Sequence, residues 1–190
     1  MAELINALKL SNTTHEYVTG NASTIYGSGP LTINDNWSDR WGGWIYENVG
    51  NHTTPAWTYV QSTHLFAATR TITQLDFQFY TLAHEYGDDT GWIGYNCYAQ
   101  YTTDGGANWT NITGSVYSDF RTQYHGSLDS SLSTGHVTLT GLNLVGCNGI
   151  RVFAGSTNGN YKTVGSHTSE AYIYETQAWY ELLGGYACCI

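Results

Sequence analysis

From Trp92 to Trp109 the chain reads Trp-Ile-Gly-Tyr-Asn-Cys-Tyr-Ala-Gln-Tyr-Thr-Thr-Asp-Gly-Gly-Ala-Asn-Trp. Ile93, Tyr95, Cys97, Ala99 and Tyr101 alternate with Gly94, Asn96, Tyr98 and Gln100, the period of a half-buried β-strand. Asp104-Gly105-Gly106 supplies the positive-φ positions that reverse the chain, so the strand becomes the first arm of a hairpin. The other apolar stretches arrange around this arm as partners.

Several follow in order. Ile72–Leu82 alternates Leu75, Phe77 and Phe79 against Asp76, Gln78 and Tyr80, and Trp57–Val60 reads as a shorter strand. Residues 111–121 return from the hairpin through Ile112 and Val116. Val137–Leu139, Leu142–Leu144 and Ile150–Ala154 are short strands, and Ala171–Leu183 is the longest closing one. His84–Gly91, Ser127–Gly135 and Gly155–Ser169 are polar and read as loops. Aromatics at 15% against 11% charged residues, with abundant Thr, Gly, Asn and Ser, favour strands and turns over helices. About eight strands at this spacing predict an all-β fold, a two-sheet antiparallel β-sandwich of the jelly-roll kind. At 190 residues one domain is expected. Its body spans residues 30–190, after an N-terminal arm and extended lead-in over 1–29. Leu4, Ile5 and Leu8 make the arm apolar, as one helical turn or a short strand. It is expected to dock on its own sandwich or on a neighbouring subunit.

Six Lys and Arg against fifteen Asp and Glu leave a formal charge of −9. No run of positive charge offers a phosphate-binding surface, so nucleic acid is not expected as a partner. No apolar run approaches the ~20 residues of a spanning helix, so no membrane insertion is expected. Residues 1–10 lack the basic n-region and unbroken apolar core of a signal peptide. Two readings stay open: a chain used without secretion, or a leader replaced by an expression Met. Cys97, Cys147, Cys188 and Cys189 match no zinc spacing. Cys97 falls on the inward face, as a buried free thiol; disulfides from Cys97 to Cys147 or at the C-terminus stay open. Six Asn-x-Ser/Thr sequons, at Asn12, Asn21, Asn36, Asn51, Asn108 and Asn111, fit chance in a chain this rich in Asn, Ser and Thr.

Four segments together resemble the discoidin, or coagulation factor 5/8 type C, group of galactose-binding-like jelly rolls. Asn34-Asp-Asn-Trp-Ser-Asp-Arg-Trp41 is similar to that group's early D-G-N-x-S/T-x-R-W segment, agreeing at Asn36, Ser38, Arg40 and Trp41. Trp57-Thr-Tyr-Val60 looks like its W-I-x-V. Tyr101–Trp109 is similar to its S-x-D-G-x-x-W turn with one extra residue, and Ile150-Arg-Val-Phe153 to its late I/V-R strand. The resemblance covers roughly residues 30–183. It implies a structural calcium at the early segment, with Asn36 and Asp39 as the candidate metal ligands. Asn34 and Asp35 depart from the group's Asp-Gly, and its acidic residue on the closing strand has no secure match here.

In this architecture ligands are taken by loops at one end of the sandwich, where a flat pyranose face stacks on an aromatic ring and polar groups meet its hydroxyls. Trp37 and Trp44 in the early loop, His84 and Trp92 beside the next, and Tyr161 in the late loop are the candidate ligand-binding residues. Asp104 and Trp109 read as determinants of the hairpin and core. Catalysis has little support. His84-Glu85 is half a zincin motif with no second His at helical spacing, and there is neither a G-x-S-x-G elbow nor a phosphate loop. A non-enzyme is expected.

Three functions fit these features. The first is a virion structural protein, such as a phage decoration, head-fibre or tail-associated subunit, contacting itself or other virion or surface proteins and binding a glycan weakly. The second is a carbohydrate-binding module of a secreted polysaccharide-degrading system. The third is a self-assembling cell-surface or filament protein. All three place the chain on a virion surface or outside the cell.

Overall fold

The computed structural model describes residues 3–20, 24–48, 56–87, 91–123, 126–160 and 165–182, excluding the side chains of residues 31, 44–48, 56–57, 85–87, 91–92, 122–123, 126–131, 157–160 and 165–167. The strands are β1 (Glu3–Asn6), β2 (Thr13–Gly20), β3 (Thr24–Tyr26), β4 (Trp41–Asn48), β5 (Ala56–Gly87), β6 (Gly91–Thr102), β7 (Thr110–Asn111), β8 (Tyr117–Gln123), β9 (Gly126–Ser133), β10 (Val137–Asn160) and β11 (Gly165–Leu182). Short 3-10 turns occupy Ala7–Lys9 and Gly29–Ile33. Every strand pairing is antiparallel.

Two very long strands make the sandwich. The first third of β5 pairs with β2 on one side and with the second half of β10 on the other. Past Ile72, β5 pairs instead with β11 on one side and with β9 and the start of β10 on the other. The ladder between β5 and β10 shifts register between Thr140 and Gly149, and there both strands cross from one sheet to the other, as bulged corner strands do. A front sheet thus runs β2, β5, β10, β6, β8, and a back sheet runs β9, β5, β11, β4, β3. The interleaved orders β5-β10-β6-β8 and β4-β11-β5-β9 are those of a jelly roll. The expected all-β two-sheet antiparallel sandwich is the fold.

Most inward residues of both sheets form one main core, and Ala83 and Ile93 make a second small cluster. Val60, Phe66, Cys97, Ala99, Ile150, Val152 and Ala154 from the front meet Ile72, Leu75, Phe77, Phe79, Ala171, Ile173 and Ala178 from the back. Each large apolar side chain removed from water contributes ~1.5–3 kcal/mol. The N-terminal arm joins its own domain. Glu3–Asn6 pairs with the end of β11, and Ala7 and Leu8 sit in the core. Asn6 Oδ1 fixes that entry by accepting from the Leu8 amide at 3.0 Å and the Ala178 amide at 3.3 Å.

Cys97 and Cys147 are both buried free thiols, and burial pushes them up to about 12 and about 11. Cys97 pairs with Ala154, and Cys147 lies seven residues further along β10 (154 − 147). At ~3.3 Å per residue they are on the order of 20 Å apart, which excludes a disulfide between them. Cys188 and Cys189 lie outside the described residues.

Three segments read as loops are largely strand. β5 continues through His84 to Gly87, Gly126–Ser133 forms β9, and β10 and β11 take up residues 155–160 and 165–169. The ladder is made by backbone amides, which bond equally well under Ser, Thr, Asn and Gly. An apolar period marks only strands with a face turned to the core.

Candidate functional site

The outer faces of the two sheets differ. The back one is covered by the early loop. Asn34 and Asp35 donate their amides to the two carboxylate oxygens of Glu175, at 3.1 and 3.2 Å. Glu175 reaches them because β11 bulges there: Ile173 pairs with Phe79 and Thr176 with Phe77, so two residues of β11 oppose the single Gln78. Burial pushes the Glu175 carboxyl up, and the amide of Asp35 opposes it. Gln177 donates to Asp35 Oδ1 at 2.7 Å, and Lys9 forms an ion pair with Asp35. Asp35 stands at φ 65°, in the left-handed region that favours glycine. Arg40 lies over the Tyr172 ring at 4.4 Å, and Trp41 is buried against Tyr17.

Glu175 thus puts a carboxylate of the closing strand against the early loop, yet these residues do not fit a calcium ion. Asn36 Oδ1 accepts the Ser38 amide at 3.0 Å, and Asp39 Oδ2 accepts Asn34 Nδ2 at 2.8 Å. Both Glu175 oxygens face amide hydrogens, and the Asp35 carboxylate faces an ammonium. Hard-cation sites need such oxygens turned inward together. Among the described residues no group of three His, Cys, Asp or Glu is placed to hold a metal.

Trp37 lies on this covered side, stacked on His136 at 3.7 Å. Beneath them the buried Asp76 accepts from Trp179 Nε1 at 2.6 Å, Thr138 Oγ1 at 2.6 Å and Gln74 Nε2 at 2.8 Å. His84 lies eight residues further along β5 (84 − 76), in register with Thr168 and Asp129. Trp37 and His84 are thus not brought together. Trp44 and Trp92 belong to β4 and β6, but their side chains, like the whole of Tyr161, lie outside the described residues.

The front outer face carries a different constellation. Tyr59 of β5, Phe153 of β10 and Tyr98 of β6 stand on three adjacent strands. Phe153 stacks on Tyr98 at 4.9 Å and on Tyr59 at 5.6 Å, with interplanar angles of 10° and 20°. Register puts Phe153 opposite Tyr98 and Gly155 opposite Tyr59 and Asn96. Glycine is required beneath the rings: a Cβ on Gly155 would lie 2.8 Å from the Phe153 ring, and one on Gly20 1.9 Å from the Tyr59 ring. Beside them Gly94, Asn96, Ser118, Phe120 and Gly155 line a cleft of about 520 Å³. Phe120 is 64% exposed at its rim.

The adjoining row is polar. Arg151 donates from Nε to Gln100 Oε1 at 2.9 Å and again from Nη2, and Gln100 Nε2 donates to Asn111 Oδ1 at 2.8 Å. The Arg151 guanidinium lies over the Trp109 ring at 4.4 Å. Trp109 is held by its own bond to the Gly106 carbonyl, and the turn is tied by Asp104, which accepts from Thr102 and Asn108. A ladder of parallel rings that ends in Tyr98, a glycine-floored cleft and a line of fixed amide and guanidinium donors can take a flat apolar face against the end ring and meet hydroxyl or carboxylate oxygens.

Sequence reasoning passed over Tyr59, Tyr98, Arg151 and Phe153. One signal for them was present: Tyr98 breaks the polar face of the Trp92–Tyr101 alternation, and Arg151 and Phe153 alternate with the inward Ile150 and Val152. That these rings meet depends on register between strands about fifty residues apart.

No protein-family model matches the chain, and no curated protein matches its sequence. Among solved structures it is similar to TmCBM61 in complex with beta-1,4-galactotriose, at TM-score 0.32 and 10% identity over 93% of this chain and 99% of that one. It is similar to the enzymatically active domain of bacteriophage CBA120 tailspike protein 4, at TM-score 0.26 and 10% identity over 94% of this chain and 22% of that one. A non-crystalline cellulose specific carbohydrate-binding module, CBM28, aligns at TM-score 0.28 and 11% identity over 82% of this chain and 78% of that one. Alignments of this quality do not bear on what the chain binds.

Proposed function

We propose that this chain is a non-catalytic glycan-binding β-sandwich that takes its ligand across the front outer face. The observation that carries this reading is the ring ladder Tyr59–Phe153–Tyr98 beside the cleft floored by Gly94 and Gly155. Stacked sugar faces need flat, fixed, partly exposed rings, and glycines let the ligand approach the strand backbone. Affinity electrophoresis through gels containing soluble polysaccharides tests it. Retardation by at least one polysaccharide that Phe153→Ala abolishes is the expected result; unretarded migration through neutral and acidic polysaccharides alike overturns the reading.

Two settings suit such a protein. The exterior of a virion, as a decoration, head-fibre or tail-associated subunit with a discoidin-like jelly roll, is favoured by the scarcity of charge and by exposed Leu4, Ile25 and Leu182. A carbohydrate-binding module of a secreted polysaccharide-degrading system is favoured by the arm being spent in its own core, with Ala7 and Leu8 fully buried. Size-exclusion chromatography with light scattering separates them: a large symmetric particle supports the first, and a discrete monomer that binds glycan supports the second.

A further inference from the structure

Among the described residues no carboxylate pairs with Arg151, which lies on the front outer face beside the aromatic ladder. The ion pairs among the described residues join Lys9 to Asp35 and Arg121 to Asp119, and His136 Nε2 lies 3.4 Å from Asp76 Oδ1. In the row of Arg151 the carboxylate that shares its face is Glu16, two strands away through Thr63. At ~4.8 Å per strand that is about 10 Å, beyond ion-pair contact. The polar partner of the guanidinium is instead a neutral amide oxygen, with an indole face beneath it. Burial pulls the Arg151 guanidinium down from its ordinary value. A half-buried charge without a counter-ion is costly, in a chain of formal charge −9 where acids are plentiful.

The geometry of the clasp leaves a defined vacancy for such a partner. Gln100 Oε1 occupies the Nε–Nη2 edge, and Asn111 holds that amide in this orientation. The Nη1–Nη2 edge of the planar fork has no hydrogen-bond partner among the described residues, and it fits a carboxylate through two parallel N–H bonds. Arg151 also sits two residues from Phe153 on the same face of β10, ~6.6 Å along the strand, so a group on a sugar stacked on the neighbouring end ring, Tyr98, falls within its reach.

We infer that the glycan taken by this face is acidic, and that Arg151 receives the carboxylate of a uronic or sialic acid unit stacked on Tyr98, the end ring of the ladder. This rests on the glycan-binding reading above and adds the ligand's charge. The long-range repulsion between an acidic protein and an acidic polymer is screened beyond ~8 Å at physiological salt, whereas a contact pair with Arg151 is not.

Titration calorimetry of the full chain tests it with polygalacturonate, alginate, hyaluronan and a sialyl-oligosaccharide as acidic probes. Methyl-esterified polygalacturonate, β-galactan and mixed-linkage glucan are the neutral ones. The expected result is that at least one acidic probe binds tenfold or more tightly than every neutral one. Arg151→Met should abolish that preference, and Arg151→Lys should restore part of it. Near-UV circular dichroism confirms that each variant keeps its aromatic packing. If Arg151→Met loses that signal, the preference of the wild-type chain for polygalacturonate over its methyl ester, and for the other acidic probes over the neutral ones, decides alone. Equal binding of acidic and neutral probes, or a preference for neutral ones, overturns the inference and leaves the glycan-binding reading standing. If a folded wild-type chain binds none of the seven probes, both are overturned.

Discussion

The ring of Tyr98 on β6 lies 4.9 Å from that of Phe153 on β10, within 10° of parallel. The two strands hold this geometry because Tyr98 and Phe153 are direct register partners. Phe153→Ala removes the middle ring of three. It is expected to weaken glycan binding at least tenfold and to cost about 2 kcal/mol of stability, from two ring contacts at roughly 1 kcal/mol each. Urea denaturation beside affinity electrophoresis measures both.

Gly155→Val is expected to abolish binding while the chain stays folded. Its Cβ falls 2.8 Å from the edge of the Phe153 ring, which must swing out of the stack to make room. Unchanged affinity in this variant would place the ligand elsewhere.

His64 is fully buried in the core. Its Nδ1 lies 2.7 Å from Nδ1 of His15, and its Nε2 lies 3.2 Å from Ser62 Oγ. Burial first, and His15 second, hold the imidazole down to about 3 from 6.5. Between those values the unfolded chain binds the extra proton, so stability rises with pH there and is fully present above about 6.5. Below it, His64 contributes a slope approaching ~1.4 kcal/mol per pH unit. Unfolding free energies from pH 4 to 7 should show this slope, and a folded His64→Gln variant should flatten it.

The early loop is expected to be indifferent to calcium. Neither added calcium nor a chelator should move the thermal midpoint, because the oxygens of Asn36, Asp39 and Glu175 already accept N–H donors. Asp35 offers a sharper comparison. Asp35→Ala and Asp35→Gly both lose the bonds to Gln177 and Lys9, but only Ala keeps the penalty of φ 65°. The Gly variant should be about 1 kcal/mol more stable than the Ala variant by urea denaturation.

Asp104 is held down to about 2, first by the Asn108 amide, then by the Asn108 and Thr102 side chains. The stability it lends is present above the unfolded value of ~3.9 and is lost as pH falls through about 2. A carbon-13 NMR titration should place its carboxyl well below the ordinary aspartate value, and Asn108→Ala should raise it.

What the sequence alone determined is the architecture: alternation and turn chemistry are local. The period of Ile93–Tyr101 and the Asp104-Gly105-Gly106 reversal read directly as β6 and its hairpin, and Leu75, Phe77 and Phe79 as an inward face. Polar strands such as β9 were illegible, because backbone bonding leaves no mark on side-chain pattern. The tertiary structure alone decided the rest. A bulge at Tyr174 and Glu175 turns an acid toward a loop some 140 residues away in sequence (175 − 35 = 140) and closes the back face over Trp37's neighbourhood. The ladder register that joins Tyr59, Phe153 and Tyr98 opens the front one. Which outward residues meet is a property of register between distant strands, and the period within one strand carries no information about it.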